Sequence, residues 1–234
     1  MSSEFGDVEL YYRKFYDQMP CGCEQGGVAR LAHSKIERPF GPRVHFAKVL
    51  EVGAGSGLHF PFVRHSLDHY EMSDVDETSL DVVRRRFGER SGVSVSIADA
   101  QALPHRDASQ DRIVATCVLL HLHEPEAALR EWRRVTRPGG VVSIYVPNEP
   151  SLLTRTGRAV TSRRAAKKAG YQGFDLMIAR DHINHGWGLD QMIRYVFRDD
   201  RLRVVSWPIP RSPISTRVFT VYHAYIGGRV SRPA

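Results

Sequence analysis

The spacing of apolar positions changes along this chain, and the changes mark out its elements. Lys48-Val49-Leu50-Glu51-Val52 is a short, mostly apolar run that reads as a buried strand. Three glycines at alternate positions follow, Gly53, Gly55 and Gly57, and then a helix is expected to about His65. His69 to Asp74 reads as a second strand, and Leu80, Val83 and Phe87 then recur at helical spacing. Val93 to Asp99 alternates as a third strand, and Arg112-Ile113-Val114-Ala115-Thr116 is a fourth. Pro125 to Val135 predicts a helix with acids early and arginines late, as the helix dipole prefers. Arg137-Pro138-Gly139-Gly140 is a turn, and Val141 to Val146 is a fifth strand stopped by Pro147. Such alternation of strand and helix is the signature of an α/β sheet.

Residues 149–180 break the rhythm: they are basic, contain Gly157 and Gly170, and show weak periodicity, so they read as an insertion or lid. Beyond them Leu189, Met192, Ile193, Val196 and Phe197 form an amphipathic stripe. Leu202 to Trp207 and Val218 to Ile226 read as two closing strands, a late hairpin at the end of a parallel sheet. Residues 1–45 look helical and carry Tyr11, Tyr12, Phe15 and Tyr16, which suits a cap over the ligand edge of a sheet. The division expected is a cap (1–45), a ligand-binding core (46–148), a basic insertion (149–180) and closing elements of the same domain (181–234).

Composition narrows the class. The 234 residues, 42% hydrophobic and 25% charged, describe an ordinary globular chain. No run has the ~18 consecutive apolar residues of a membrane helix. The start, Met1-Ser2-Ser3-Glu4-Phe5-Gly6-Asp7, has no basic and apolar leader pattern, and three cysteines make no disulfide framework, so a cytoplasmic setting is expected. The net charge is +7, but Arg155, Arg158, Arg163, Arg164, Lys167 and Lys168 lie in one stretch without an acid, and the rest of the chain sits at +1. A local basic segment on a nearly neutral body argues against a nucleic-acid binder, which carries charge over a whole face.

The chemistry starts at Val49-Leu50-Glu51-Val52-Gly53-Ala54-Gly55-Ser56-Gly57, where a strand runs straight into Gly-x-Gly-x-Gly. Glycine turns tightly and lets a ligand approach the backbone. Ligands of open α/β sheets sit beyond the carboxyl ends of the strands. Dinucleotide sites prefer Gly-x-Gly-x-x-Gly to seat a pyrophosphate. Here position 58 is leucine, and Glu51 would repel a pyrophosphate while suiting a cationic amino group. Asp74, closing the second strand, has two oxygens for two ribose hydroxyls. Asp76 and Glu77 read as caps of the next helix. Asp99 closes the third strand, where its carboxylate and the following N–H suit an adenine edge. Each acid alone reads equally well as a solvated strand end. Three in register point to one ligand.

With these residues the chain resembles the class I S-adenosylmethionine-dependent methyltransferases, in the small single-domain branch that includes the ubiquinone-biosynthesis-like enzymes. The matching blocks are Val49 to Gly57, Asp74, Asp99-Ala100-Gln101-Ala102-Leu103-Pro104, Asp111 with its strand, Leu119-Leu120-His121-Leu122, and Arg134-Val135-Thr136-Arg137-Pro138-Gly139-Gly140. They cover residues 46–148 in the family's order; the C-terminal half matches only in layout. The resemblance implies a Rossmann-like, doubly wound, seven-stranded, mostly parallel sheet with a helical N-terminal cap and an insertion after the fifth strand. It implies S-adenosylmethionine as cofactor. Glu51, Gly53, Ala54 and Gly55 would surround its methionine part, Asp74 and Val75 the ribose, and Asp99 with Ala100 the adenine. Thr116 and Cys117 would line its sulfonium side, and Tyr11 and Tyr16 would reach its carboxylate.

The reaction implied is methyl transfer to a small-molecule acceptor, at a hydroxyl or carboxylate oxygen with a histidine as base; nitrogen and carbon acceptors are also handled on this fold. His121, just past the fourth strand, leads as base, with His182 and His185 as the other candidates. His33 on the cap, Trp187 after the lid, and Arg163 and Arg164 for an anionic acceptor complete the substrate set. Each reads also as packing or as solvated surface. Cys21 and Cys23 lack a second pair, so no metal is expected. An RNA methyltransferase is the rival, yet Ala115-Thr116-Cys117-Val118 lacks the Asn/Asp-Pro-Pro-aromatic signature of base-amino methylation. A non-catalytic cofactor binder is the other alternative, against which His121 and the intact glycine turn speak. Oligomeric state is left open.

Overall fold

The computed structural model describes residues 27–160, 162–168 and 174–228. Helix α1 (Gly27–Glu37) leads into strand β1 (His45–Val52), followed by β2 (Ser66–Asp74), α2 (Glu77–Phe87), β3 (Val93–Ile97) and β4 (Gln110–Thr116). Helix α3 (Pro125–Val135) runs directly into β5 (Thr136–Pro147). Three short helices, α4 (Leu152–Val160), α5 (Ser162–Lys168) and α6 (Phe174–Asp181), precede α7 (Gly186–Val196), β6 (Arg201–Trp207) and β7 (Phe219–Tyr225).

The seven strands form one sheet in the order β3-β2-β1-β4-β5-β7-β6. β1 lies parallel to both β2 and β4, and β3 and β5 continue the parallel pairing outward. β7 enters antiparallel between β5 and β6. The order therefore reverses between β1 and β4, and a doubly wound sheet opens its ligand crevice at that point, beyond the strands' carboxyl ends. This is the sheet that the resemblance implies.

Alternation along β1 sorts its side chains into two layers. Leu50 and Val52 join Ile113, Ala115, Leu129, Trp132, Ile193 and Phe197 on one side of the sheet. Val49 joins Ile36, Tyr70, Met72, Val114 and Val141 on the other, beneath α1. The stripe expected in α7 is buried at Leu189, Ile193 and Val196, and α3 buries Ala128, Leu129, Trp132 and Val135.

Three expectations of the pattern fail. The turn expected at Arg137-Pro138-Gly139-Gly140 is part of β5. The helix expected after the glycines, to about His65, is only a single 3-10 turn, Phe60–Phe62. Phe62 N–H and Val63 N–H bond back three residues, to His59 and Phe60, with Pro61 at the start of the turn and the chain extended again by Val63. The apolar residues there answer to the sheet, not to a helical face: Phe60 packs on Tyr70 and Phe87, with ring centroids 4.8 and 5.2 Å away. The third strand ends at Ile97, and Asp99 instead makes a bridge to Ala102. Within 149–180, where periodicity was weak, the described residues are largely helical.

Candidate active site

The glycine turn leaves β1 with Gly53, Gly55 and Gly57 all at positive φ, +61°, +51° and +74°. Only glycine takes such angles without strain. A Cβ on Gly55 would meet no atom within 4 Å, so open space lies beside it. Asp74, at the tip of β2, accepts the Gly55 N–H on Oδ2 at 2.8 Å and the Asp76 N–H on Oδ1 at 3.0 Å. These bonds hold the carboxylate against the turn, and each oxygen keeps a lone pair for a ligand hydroxyl. Asp76 caps α2 by accepting from Thr78 and Ser79, as expected of it. Asp99 Oδ1 accepts the Gln101 N–H at 2.8 Å, and the next residue's carbonyl, Ala100, takes the Trp132 indole N–H at 2.9 Å. A buried tryptophan of the core thus fixes the third loop of the edge.

Between the turn and the end of β4 lies a cleft lined by His33, Gly53, Ala54, Leu58, His59, Thr116 and Cys117. Cys117 is buried and sits at φ +62°, outside the usual range of a residue with a side chain. Behind the cleft lies a buried polar network. Arg112 donates to both Glu37 oxygens, at 2.7 and 3.1 Å, and both side chains are 0% exposed. Glu37 Oε1 also meets His59 Nε2 at 2.9 Å, and His59 Nδ1 lies 3.0 Å from His33 Nδ1. Burial alone would raise the Glu37 carboxyl, but Arg112 and the His59 hydrogen bond outweigh it and hold it well below the usual range. Burial, and then His59, lower the His33 pKa to about 3. On the far side Arg112 reaches Ser143, which meets His223 at 3.1 Å; burial lowers His223 to about 3 as well.

Glu51 is fully buried below the turn rather than in the cleft lining. Its Oε2 accepts the Tyr70 hydroxyl at 2.8 Å, its Oε1 has no hydrogen-bond partner among the described residues, and burial raises its pKa.

A second histidine pair joins the loop after β4 to the residue that follows α6. His121 and His182, 61 residues apart in sequence, meet edge to face with ring centroids 5.0 Å apart. His182 Nδ1 pairs with Glu149, just beyond β5, and His121 Nδ1 meets the Asp181 carbonyl at 3.1 Å. Although part of His121 is open to solvent, desolvation of its ring and the neighbouring His182 lower its pKa to about 4. His185 does not join them; it is exposed at the start of α7.

The remaining expected positions divide. His33, Gly53, Ala54, Thr116 and Cys117 share the cleft, and Asp74, Val75 and Asp99 share the edge beside it, Val75 being 67% exposed. Arg163 pairs with Asp175, Arg164 is exposed on the same helix, and Trp187 is 65% exposed on α7; none of the three lines the cleft. Tyr11 and Tyr16, with Cys21 and Cys23, lie outside the described residues. Among the described residues, no group of three or more His, Cys, Asp or Glu could hold a metal ion, and no helix is long and apolar enough to cross a membrane. His59, Glu37, Arg112 and Glu149 are the site residues that sequence reasoning missed.

A family model described as a methyltransferase domain matches residues 50–144. The chain is 30% identical over 158 residues to a demethylmenaquinone methyltransferase of Clavibacter sepedonicus, covering 67% of this chain and 62% of that protein. It is 28% identical over 171 residues to a phosphatidylethanolamine N-methyltransferase of Cereibacter sphaeroides, covering 71% and 74%. The chain spans between 36% and 62% of the length of the first three relatives it matches. In fold it is similar to the N-methyltransferase NodS of Bradyrhizobium japonicum, solved with S-adenosylhomocysteine, at a TM-score of 0.63 and 14% identity, covering 94% of this chain and 96% of that one.

Proposed function

We propose that the chain, whose residues 50–144 match a methyltransferase domain model, moves a methyl group from S-adenosylmethionine to a hydroxyl-bearing small molecule, with His182 as base. The observation that carries the reading is the edge of the sheet: an open glycine turn, a carboxylate held at Asp74 and a cleft beside both. These residues fit the cofactor. Asp74 has lone pairs for the ribose hydroxyls, the Asp99-Ala100 loop offers an oxygen and an N–H to adenine, and the cleft at Gly53, Ala54, Thr116 and Cys117 would take the methionine end.

The bound cofactor supplies an activated methyl group on a sulfonium. What the protein must do is align the acceptor and take its proton. His182 is favoured over His121 because Glu149 pairs with its Nδ1, and a paired carboxylate stabilises the imidazolium that forms on taking a proton. His121, neutral down to about pH 4, is the weaker base and packs against His182. The same proton removal serves oxygen methylation and methylation of a ring carbon made nucleophilic by a neighbouring oxyanion. The basic stretch 155–168 would favour an anionic acceptor.

Methyl-labelled S-adenosylmethionine, incubated with a host extract split into polar metabolites, lipids, RNA and protein, tests the reading. Label is expected in the small-molecule or lipid fraction. Asp74→Ala is expected to weaken cofactor binding about 10- to 100-fold, the loss of one or two charge-assisted hydrogen bonds. Label entering RNA alone would overturn the small-molecule reading. With the acceptor in hand, His182→Gln is expected to lower kcat about 100-fold or more, with cofactor KM unchanged and the acidic limb of the pH profile lost. His121→Gln reducing kcat as much, while His182→Gln leaves it unchanged, would reverse the assignment.

A further inference from the structure

The three short helices after β5 and the start of α7 carry an outer face that core packing does not explain. Their inner sides are settled: Thr154 of α4, Ala166 of α5 and Phe174 of α6 are buried. Outside stand Leu152 (73% exposed) and Leu153 on α4, Leu176 (59%) on α6, Ile183 just beyond it, and Trp187 on α7. These are five of the nine large hydrophobic side chains left exposed among the described residues. The segments that bear them are tied together. α4 packs on α5 and α5 on α6, where Arg163 pairs with Asp175. Glu149, just before α4, pairs with His182, the neighbour of Ile183, and its carbonyl accepts the N–H of Gly186, the neighbour of Trp187, at 2.9 Å.

Cations share this face. Between residues 150 and 187 seven arginines and lysines stand against two aspartates, so +5 of the chain's +7 lies here. Arg163 and Lys167, and Arg164 and Lys168, are exposed and four apart on α5, the spacing at which like charges repel. Of these four only Arg163 has an acid partner among the described residues. Such stacking of charge weakens a helix by itself and is offset by anions from outside the chain.

We propose that this face docks on an anionic lipid bilayer, with Leu152, Leu153, Leu176, Ile183 and Trp187 entering the boundary of headgroups and acyl chains and the arginines and lysines meeting the lipid phosphates. The combination of charge and apolar surface selects the partner. Exposed aliphatic side chains among cations, with a tryptophan beside them, suit helices lying in the plane of a membrane surface. A second copy of this chain would set +5 against +5. RNA would satisfy the charge and leave the aliphatic side chains in water. The docking does not depend on methyl transfer. It has a consequence that does rest on the reading of His182 as base: Ile183, the next residue, is set against the bilayer, so the acceptor would be an amphiphile taken from that surface.

Flotation of the full chain with vesicles tests the docking without turnover. The protein is expected to bind vesicles of mixed phosphatidylglycerol and phosphatidylcholine at least about 10-fold more tightly than phosphatidylcholine alone, and to be released as salt is raised. Lipids brominated along the acyl chains are expected to quench part of the tryptophan emission, a reading that needs no variant. Trp187→Phe is expected to abolish that quenching and to keep the binding. Leu152→Ser/Leu176→Ser is expected to weaken binding about 10-fold, from the apolar area withdrawn. Lys167→Glu/Lys168→Glu is expected to weaken it at least as much, by about 10-fold or more. No flotation with the anionic vesicles would overturn the proposal. Flotation without quenching, unchanged by the leucine variant, would overturn it too, because charge alone would then account for the binding. Polyuridylate bound as tightly as the vesicles would assign the face to RNA, and a dimer in sedimentation that the leucine variant dissolves would assign it to a second copy; either result overturns the bilayer.

Discussion

Arg112→Met is expected to destabilise the protein by about 3–5 kcal/mol, the cost of leaving a buried charge without its partner. Arg112 and Glu37 are both 0% exposed and share two hydrogen bonds. The guanidinium also lies 4.3 Å over the Phe40 ring, so methionine keeps much of the packing and loses the charge. What remains is a Glu37 carboxylate with His59 at hydrogen-bond distance and His65 4.0 Å away, in a site whose burial already opposes ionisation. Glu37 must then stay charged at high cost or take a proton. The double variant Glu37→Met/Arg112→Met removes both charges, and is expected to recover most of the loss, because desolvating an ion pair costs about as much as the pair returns. Urea unfolding of the two variants and the unaltered protein measures this. A single variant within 1 kcal/mol of the unaltered protein would show that the pair is not buried in solution.

The reach of that pair along the chain explains which parts of the molecule were legible in the sequence. Local spacing carries local structure. The glycines at 53, 55 and 57, the acid at the tip of β2 and the stripe of α7 each lie within a few residues of what they specify. The helix wrongly expected before His65 shows the limit of spacing, since Phe60 is apolar because Tyr70 and Phe87 are its neighbours. The polar network is built from contacts across 22, 26 and 75 residues, which no window of sequence contains. Two traces of it were nonetheless present. Ala29, Ala32, His33, Ile36 and Glu37 form one buried face of α1, so His33 and Glu37 interrupt an apolar stripe four residues apart. Arg112 stands in a strand buried along almost its whole length. A charge at such a position needs a partner, and the only open question was where it came from.

The same burial makes the fold sensitive to acid. His33 and His223 are 3% and 0% exposed and stay neutral to about pH 3 when folded, against an ordinary value of 6.5. Their folded pKa values are depressed, so the stability they contribute is whole above 6.5 and is lost as pH falls toward the folded values. Between pH 7 and pH 5 the unfolded chain gains about three-quarters of a proton at each that the folded chain does not, which costs about 2 kcal/mol per histidine, or about 4 kcal/mol for the two. His65, lowered mainly by burial, acts in the same direction, and His121, more open to solvent, adds less. Glu51 opposes them, because its raised pKa lets the folded state keep a proton that the unfolded state releases above about 4.5. Below that, Glu37 joins the histidines, its depressed pKa withdrawing stability as the pH falls further. His223→Phe isolates one contribution. Among the described residues His223 Nε2 has no hydrogen-bond partner, and its ring already meets Phe40 edge-on at 5.3 Å, so phenylalanine removes a proton site at the cost of the Ser143 hydrogen bond and without breaking the Arg112–Glu37 pair. In urea unfolding at pH 7, 6 and 5, this variant is expected to lose about 2 kcal/mol less than the unaltered protein over the range. Parallel losses in the two proteins would mean that His223 is not neutral in the folded state, or that it stays shielded when the chain unfolds.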